Sequence, residues 1–442
     1  MNRNVLNLAV PNIISNLSVP LLGVVDTALI GHLEEVYYLG AIAVGGMLFN
    51  FIFWGFGFLR MGTTGLTARA YGEENKTESV MTLARALGVA AVVSLLLLLF
   101  QGVIATVGLW FIDASPEVEH YTRIYFHIRI FAAPAALGLY AINGWFLGMQ
   151  NARYPMIIAI VLNSLNILLD VLFVYGLNMH VDGVAYGTVI ARYTALALAV
   201  TLLITKYRGW LAAYAREKLL ELAPVREFFA VNRDIFIRTL CLIFTFSFFT
   251  AQSAGFGNTI LAANTILLQM WMMVSYGIDG FAFAAESLIG KYTGAGQREK
   301  VKQAVTYCFM WGLGIGLGAS CIYGLFGTSI LRLFTDKQQV IETALVVFGW
   351  TIAGPAVSSF CYIWDGIFIG ATATPPMRNS MLIATLLVFL PTYAIGVQYL
   401  GNHAIWLAMT LFMIARGATL SLFAPKYVFG NAAEPDHIGK AR

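Results

Sequence analysis

Apolar stretches of about 20 residues or more follow one another along nearly the whole of this chain, parted by short polar turns. At about 1.5 Å per helical residue, each is long enough to cross a hydrocarbon layer of about 30 Å. Hydrocarbon offers no partner to a backbone N–H or C=O, so such stretches have to be helices that satisfy their own backbone. Hydrophobic residues make up 59% of the chain and charged residues 11%, against about 25% charged in ordinary soluble domains. The sequence therefore predicts an all-α membrane protein with about twelve transmembrane helices. They fall near residues 5–31, 39–69, 80–111, 121–150, 154–177 and 184–207, then 233–256, 259–290, 302–332, 342–372, 377–399 and 402–425.

No large extramembrane domain is expected, because the longest polar stretch is the basic connection over residues 208–232. The short start Met1-Asn-Arg-Asn leads into a stretch long enough to cross, with no small-residue cleavage pattern. Placing the N-terminus in the cytoplasm puts Arg69, Lys76, Arg153, Lys206, Arg216, Lys218, Lys291, Arg298 and Arg378 on that side. Glu34, Glu35, Asp113, Glu117, Glu119 and Asp182 then fall on the other, with Arg332 and Lys337 as exceptions. This follows the positive-inside rule, so both termini are expected in the cytoplasm of an inner-membrane protein. Cys241, Cys308, Cys321 and Cys361 all fall in apolar stretches without metal-ligand spacing and read as small packing residues.

The chain is written twice. Gly55 pairs with Gly277, Leu66 with Leu288, Gly72 with Gly294 and Lys76 with Arg298, all at one offset (294 − 72 = 222). The same offset returns where Asn143-Gly-Trp-Phe-Leu-Gly meets Asp365-Gly-Ile-Phe-Ile-Gly, after stretches containing Pro134 and Pro355. This predicts two six-helix lobes, residues 1–207 and 233–442, joined by residues 208–232. An even number of spans makes the repeats parallel, a pseudo-two-fold arrangement with a central cavity of the kind used by duplicated transporters.

Carboxylates interrupt the apolar stretches. A charge at the bilayer centre costs at least roughly 2.5–3.5 kcal/mol and usually marks an ion, proton or substrate path. Asn163, Asn166 and Asp170 recur at i, i+3 and i+7, which puts them on one helix face. Lipid satisfies neither amide nor carboxylate, so this face turns inward. Asp26 lies six residues after Pro20, where a missing backbone N–H favours a kink. Counted from the cytoplasmic side, Asp26 and Asp170 fall at similar depth, whereas Asn143 falls nearer the cytoplasm. The second half offers Asp279 and Glu286, seven apart, and Asp365; Glu286 lies close to Lys291. Arg60, Arg192 and Arg416 are cations within the stretches, available to snorkel or to neutralise carboxylates, Arg192 toward Asp170 among them.

Gln269-Met-Trp-Met-Met and Phe244-Thr-Phe-Ser-Phe-Phe are adaptable apolar runs, suited to packing, to lipid or to a drug cavity. Gly312-Leu-Gly-Ile-Gly-Leu-Gly reads as small-residue helix packing. The chain has no GxxxxGK[ST], HExxH or GxSxG motif, so the energy for transport is expected from an ion gradient or a partner.

Together, Pro20-Leu-Leu-Gly-Val-Val-Asp-Thr-Ala-Leu-Ile-Gly-His-Leu, Arg60-Met-Gly-Thr-Thr-Gly-Leu-Thr-Ala, Asn163-Ser-Leu-Asn-Ile-Leu-Leu-Asp, Asp279-Gly-Phe-Ala-Phe-Ala-Ala-Glu and Asp365-Gly-Ile-Phe-Ile-Gly-Ala-Thr resemble the multidrug and toxic compound extrusion (MATE) family, in its DinF-like branch. The resemblance covers essentially the whole chain. It implies a MATE-like fold and export of amphiphilic, often cationic small molecules in exchange for H⁺ or Na⁺. It implies a first-lobe coupling site matching Asp26, Asn143, Asn166, Asp170 and Thr188, with Asn163 lining the cavity and Pro20 as a hinge near the protonated carboxylate. It implies no cofactor and no structural metal, with Na⁺ at Asp26 and Asp170 as the alternative coupling ion. Expected partners are substrates and membrane lipids, not nucleic acid, and the chain is expected to be a monomer. Other branches use a carboxylate on the seventh helix, and the segment from Arg238 has none. The rival transport reading is a lipid-linked precursor flippase; a membrane-embedded enzyme is the rival from another class.

Overall fold

The computed structural model describes residues 1–30, 35–110, 112 and 114–430; the side chains of residues 19, 21–30 and 36 stand outside that description. Glu34, Asp113 and the tail from residue 431 therefore lie outside the described residues. Almost all the described chain is helical, and it contains no strand. We label the membrane helices in order: α1 Asn2–Ile30, then α2 Tyr37–Gly72, α3 Lys76–Leu99, α4 Pro116–Gly148, α5 Arg153–Gly176, α6 Val181–Lys206, α7 Leu222–Gly255, α8 Asn258–Gly294, α9 Arg298–Phe334, α10 Gln338–Gly370, α11 Thr374–Leu400 and α12 Asn402–Tyr427. Eleven of these meet the length and hydropathy needed to cross a membrane among the described residues. With the 29-residue α1 they correspond to the twelve expected stretches. Leu325, Leu333 and Leu387 are 77%, 85% and 70% exposed, an outward apolar surface suited to lipid rather than water.

Breaks in the helices have local causes. Proline at position 134 removes an N–H and crowds the preceding turn, and residues Ile130–Ala132 of α4 tighten into a 3₁₀ turn. Residues Ile383–Phe389 of α11 widen into a π-helical stretch just ahead of Pro391. Two boundaries differ from expectation. The third stretch ends at Leu99 and a separate short helix follows at Gln101–Trp110, so residues 80–111 are not one span. Helix α7 begins at Leu222, well before the apolar stretch, because a backbone continues helical into a polar interface where hydropathy no longer marks it.

The duplication is visible in the turns themselves. Glu74 and Gly296 both have φ near +60°, as do Gln150 and Thr372, each pair separated by 222 residues. Around them the closing bonds recur: Asn151 N–H donates to Phe146 O and Ala373 N–H to Phe368 O, the 6→1 pattern of a Schellman cap. Helix crossings recur too. A Cβ at Gly144 would strike the Arg60 backbone, and one at Gly148 would meet Thr67 and Thr64 O. At the matching positions, Gly366 lies against Ala282 backbone and Gly370 against Glu286 O. Absent side chains let these backbones approach, as in membrane helix pairs generally.

The contacts divide the chain into two units. One comprises residues 1–9, 68–75 and 240–442, with a core that includes Trp271, Phe348, Phe389, Trp406 and Phe412. The other comprises residues 10–67 and 76–239, with a core that includes Phe49, Phe53, Tyr125, Phe126 and Phe228. Within the latter, Arg85 on α3 bonds Glu78 at 2.6 Å and donates to the carbonyls of Lys218 and Leu219 at 3.0 and 3.3 Å. One buried guanidinium thus fixes the basic segment to α3.

Candidate functional site

Helix α5 sorts its residues by face. Asn163, Asn166 and Asp170 are buried, whereas Ile157, Ile160 and Leu168 on the far side are exposed. Asn166 donates its amide to Asp170 Oδ2 at 2.8 Å, and Asp170 is fully buried. Asp170 Oδ1 rests against Gly187 of α6, where a Cβ would not fit. Only glycine at 187 lets the carboxylate meet that backbone, one residue from Thr188. The buried Thr188 hydroxyl donates back to Val184 O at 3.1 Å, which leaves its lone pairs as acceptors. Asn163 donates to Ser18 Oγ at 2.6 Å, and Ser18 donates to Ser15 O at 2.6 Å. A polar link therefore ties α5 to α1 two residues before Pro20.

The remaining first-half candidates are less connected. Asn143 on α4 is half-buried; its Oδ1 is enclosed and accepts no hydrogen bond among the described residues, and no bond joins it to Asp170. The side chain of Asp26 lies outside the described residues, although its backbone continues helix α1. Pro11 and Pro20 are both inside that helix. Arg192 lies over the ring of Phe53 at 5.3 Å rather than pairing with Asp170.

In the other unit, Asp365 and Arg416 form a buried ion pair at 2.5 Å. The Arg416 guanidinium also lies over Phe412 and Tyr362, at 5.2 and 5.7 Å. Asp279 is half-buried, within electrostatic reach of Tyr276 and Tyr362. Glu286 is buried, while Lys291 sits over Tyr71 and Tyr292. Met270 and Trp271 pack into the core, whereas Met273 and Phe244 face outward. The four cysteines are thiols; Cys308 and Cys361 are buried, and Cys321 is exposed rather than packed.

Sequence reasoning missed three features. Ser18 is the partner of Asn163, a contact between residues 145 apart that no local pattern reveals. Asp234 and Arg238 are buried near the middle of α7, and their i, i+4 spacing was the available signal. Arg129 on α4 has no local signal, because the Phe49 ring it lies over belongs to another helix.

Comparison with known proteins bears on the family and the fold. The MatE family model matches the chain twice, over residues 11–172 and 235–394. The chain is 39% identical over 421 residues to the DNA damage-inducible protein F of Escherichia coli K12, covering 94% of this chain and 90% of that one. It is 24% identical over 433 residues to the multidrug resistance protein NorM of Vibrio cholerae, with 94% and 93% covered. A solved structure described as the outward-facing conformation of a multidrug resistance MATE family transporter superposes with a TM-score of 0.85 at 19% identity. It covers 96% of this chain and 94% of that one, a likeness of fold.

Proposed function

Given that the chain belongs to the MatE family, in its DinF-like branch, and that members of this family are transporters rather than enzymes, we propose that it is a secondary antiporter. It exports small amphiphilic, often cationic molecules by alternating access in exchange for H⁺ or Na⁺. The observation that carries this reading is the buried Asn166–Asp170 pair packed against the Gly187–Thr188 turn. A charged Asp170 offers its oxygens to a cation, with Thr188 and Asn166 supplying further oxygen acceptors. A protonated Asp170 carries no charge and loses part of its acceptor capacity, including strength in the Asn166 bond. Proton and cation therefore compete for one carboxylate, and such competition is the coupling an exchanger needs.

Asp26 is the second acid of this site and Asn143 an orienting amide. Pro20 is the hinge that turns a change of charge into bending of α1, supported by the Ser18–Asn163 link within a turn of it. Among the second-half candidates Asp365 takes no part in coupling, because Arg416 already neutralises it; Asp279 and Glu286 remain the candidates there. The layout is two lobes, residues 1–207 and 233–442, joined by residues 208–232, in a monomer of the inner membrane with both termini cytoplasmic.

The test is export of a cationic dye from proteoliposomes, driven first by an inward proton gradient and then by an inward sodium gradient. Asp170→Asn and Asp26→Asn are each expected to reduce driven export to background while the helical content and melting temperature hold. The gradient that supports wild-type export identifies the coupling ion. Undiminished export by Asp170→Asn under both gradients refutes the assignment.

A further inference from the structure

Two arginines in the unit formed by residues 10–67 and 76–239 lie at mid-span with no carboxylate partner among the described residues. Arg129 is thirteen residues after Pro116 on α4, and Arg192 eleven residues after Val181 on α6. At helical rise these positions are about 20 Å and about 16 Å from those helix ends. Arg129 lies over the rings of Phe49 and Tyr125 at 4.9 and 5.3 Å, and Arg192 over Phe53 at 5.3 Å. Phe49 and Phe53 are successive residues on one face of α2, so a single stripe of rings carries both cations. Arg129 donates to the Tyr125 hydroxyl, and its buried Nε has no acceptor among the described residues. Neither arginine belongs to an ion pair among the described residues, and the two lie within electrostatic reach of each other.

Stacking on a ring engages the face of a guanidinium and leaves its in-plane N–H donors for a planar or tetrahedral acceptor. Two like charges in a low-dielectric lobe, with donors left over, are costly unless an anion comes from outside. On the inward faces of their helices, beside buried Tyr125, Phe126, Thr188 and Ala195, both arginines are only half-buried, so they remain reachable. We propose that Arg129 and Arg192 form an oxyanion-binding subsite, taking a phosphate, sulfonate or carboxylate group by bidentate N–H donation. Thr188, which borders Asp170, is one helical turn from Arg192. An amphiphile carrying both charges thus meets an acidic and a basic end within one unit. The subsite rests on the arginines alone and stands whether or not Asp170 carries coupling.

Arginine-directed labelling tests this on the unaltered protein in neutral maltoside micelles. Phenylglyoxal modification is mapped by peptide mass, with no addition, with inorganic phosphate, or with short-chain phosphatidylglycerol. Arg129 and Arg192 are expected to be protected, whereas Arg123, half-exposed and paired with Glu119, is not. Protection by inorganic phosphate assigns a free oxyanion, and protection by phosphatidylglycerol alone assigns a lipid headgroup. Arg192→Gln is expected to weaken binding of the protecting probe by about tenfold to a hundredfold, the worth of charged hydrogen bonds. Arg192→Lys, which keeps charge and loses the fork, should fall between. No protection by either probe, equal protection of Arg123, or unchanged affinity in a folded Arg192→Gln protein overturns the proposal.

Discussion

Asp365 and Arg416 show how much turns on the partner a buried charge finds. Their side chains are 6% and 1% exposed, so water compensates neither. Removing one member of such a pair leaves the other buried and uncompensated, at a cost of about 3–5 kcal/mol, whereas apolar replacement of both is often neutral. Arg416→Met should therefore lower the melting temperature in micelles sharply, and adding Asp365→Leu should restore most of it. A single Arg416→Met protein as stable as the parent would remove the pair from the structural account. The sequence exposed each of these residues but not the pairing, because 51 residues of chain separate them. The α5 face was legible for the opposite reason: Asn163, Asn166 and Asp170 are related by local helical spacing alone. Arg129 was not, since its importance comes from rings on another helix.

Between helices, closeness is set by glycine. Gly366 on α10 stands where a Cβ would overlap the Ala282 backbone of α8, and a backbone cannot step aside as a flexible side chain can. Gly366→Val is expected to cost about 1–3 kcal/mol through overpacking. Gly318, on α9, has no atom within 4 Å of a built Cβ. Gly318→Ala should be neutral or stabilise by up to about 1 kcal/mol from helix propensity. Melting curves of the two variants in the same micelles test both, and equal effects would show that close approach is not what glycine supplies at position 366. Hydropathy located all the long helices because burial in lipid is a property of the stretch itself. It was silent on the π-helical turn of α11 and on the start of α7, where the backbone's own hydrogen bonding decides.

At the scale of the whole chain, duplication was legible as a fixed offset; the recurring positive-φ turns carry the same period, and one family model matches each half in turn. Which way the chain threads the membrane is a separate question, decided by charge. Lysine and arginine resist transfer across the bilayer during insertion, so the loops that hold them stay behind. The segment around Arg216 and Lys218 is the richest such loop, and Arg85 fixes it to α3. The turn ahead of α4, with Glu117 and Glu119 in its first helical turn, is acidic. In a protein whose four cysteines have been replaced, single cysteines at the exposed positions Arg216→Cys and Glu117→Cys report the two faces. A membrane-impermeant maleimide added to intact cells should label Glu117→Cys at once and Arg216→Cys only after permeabilisation. The reverse pattern would turn the transporter over in the membrane and place both termini on the outer side.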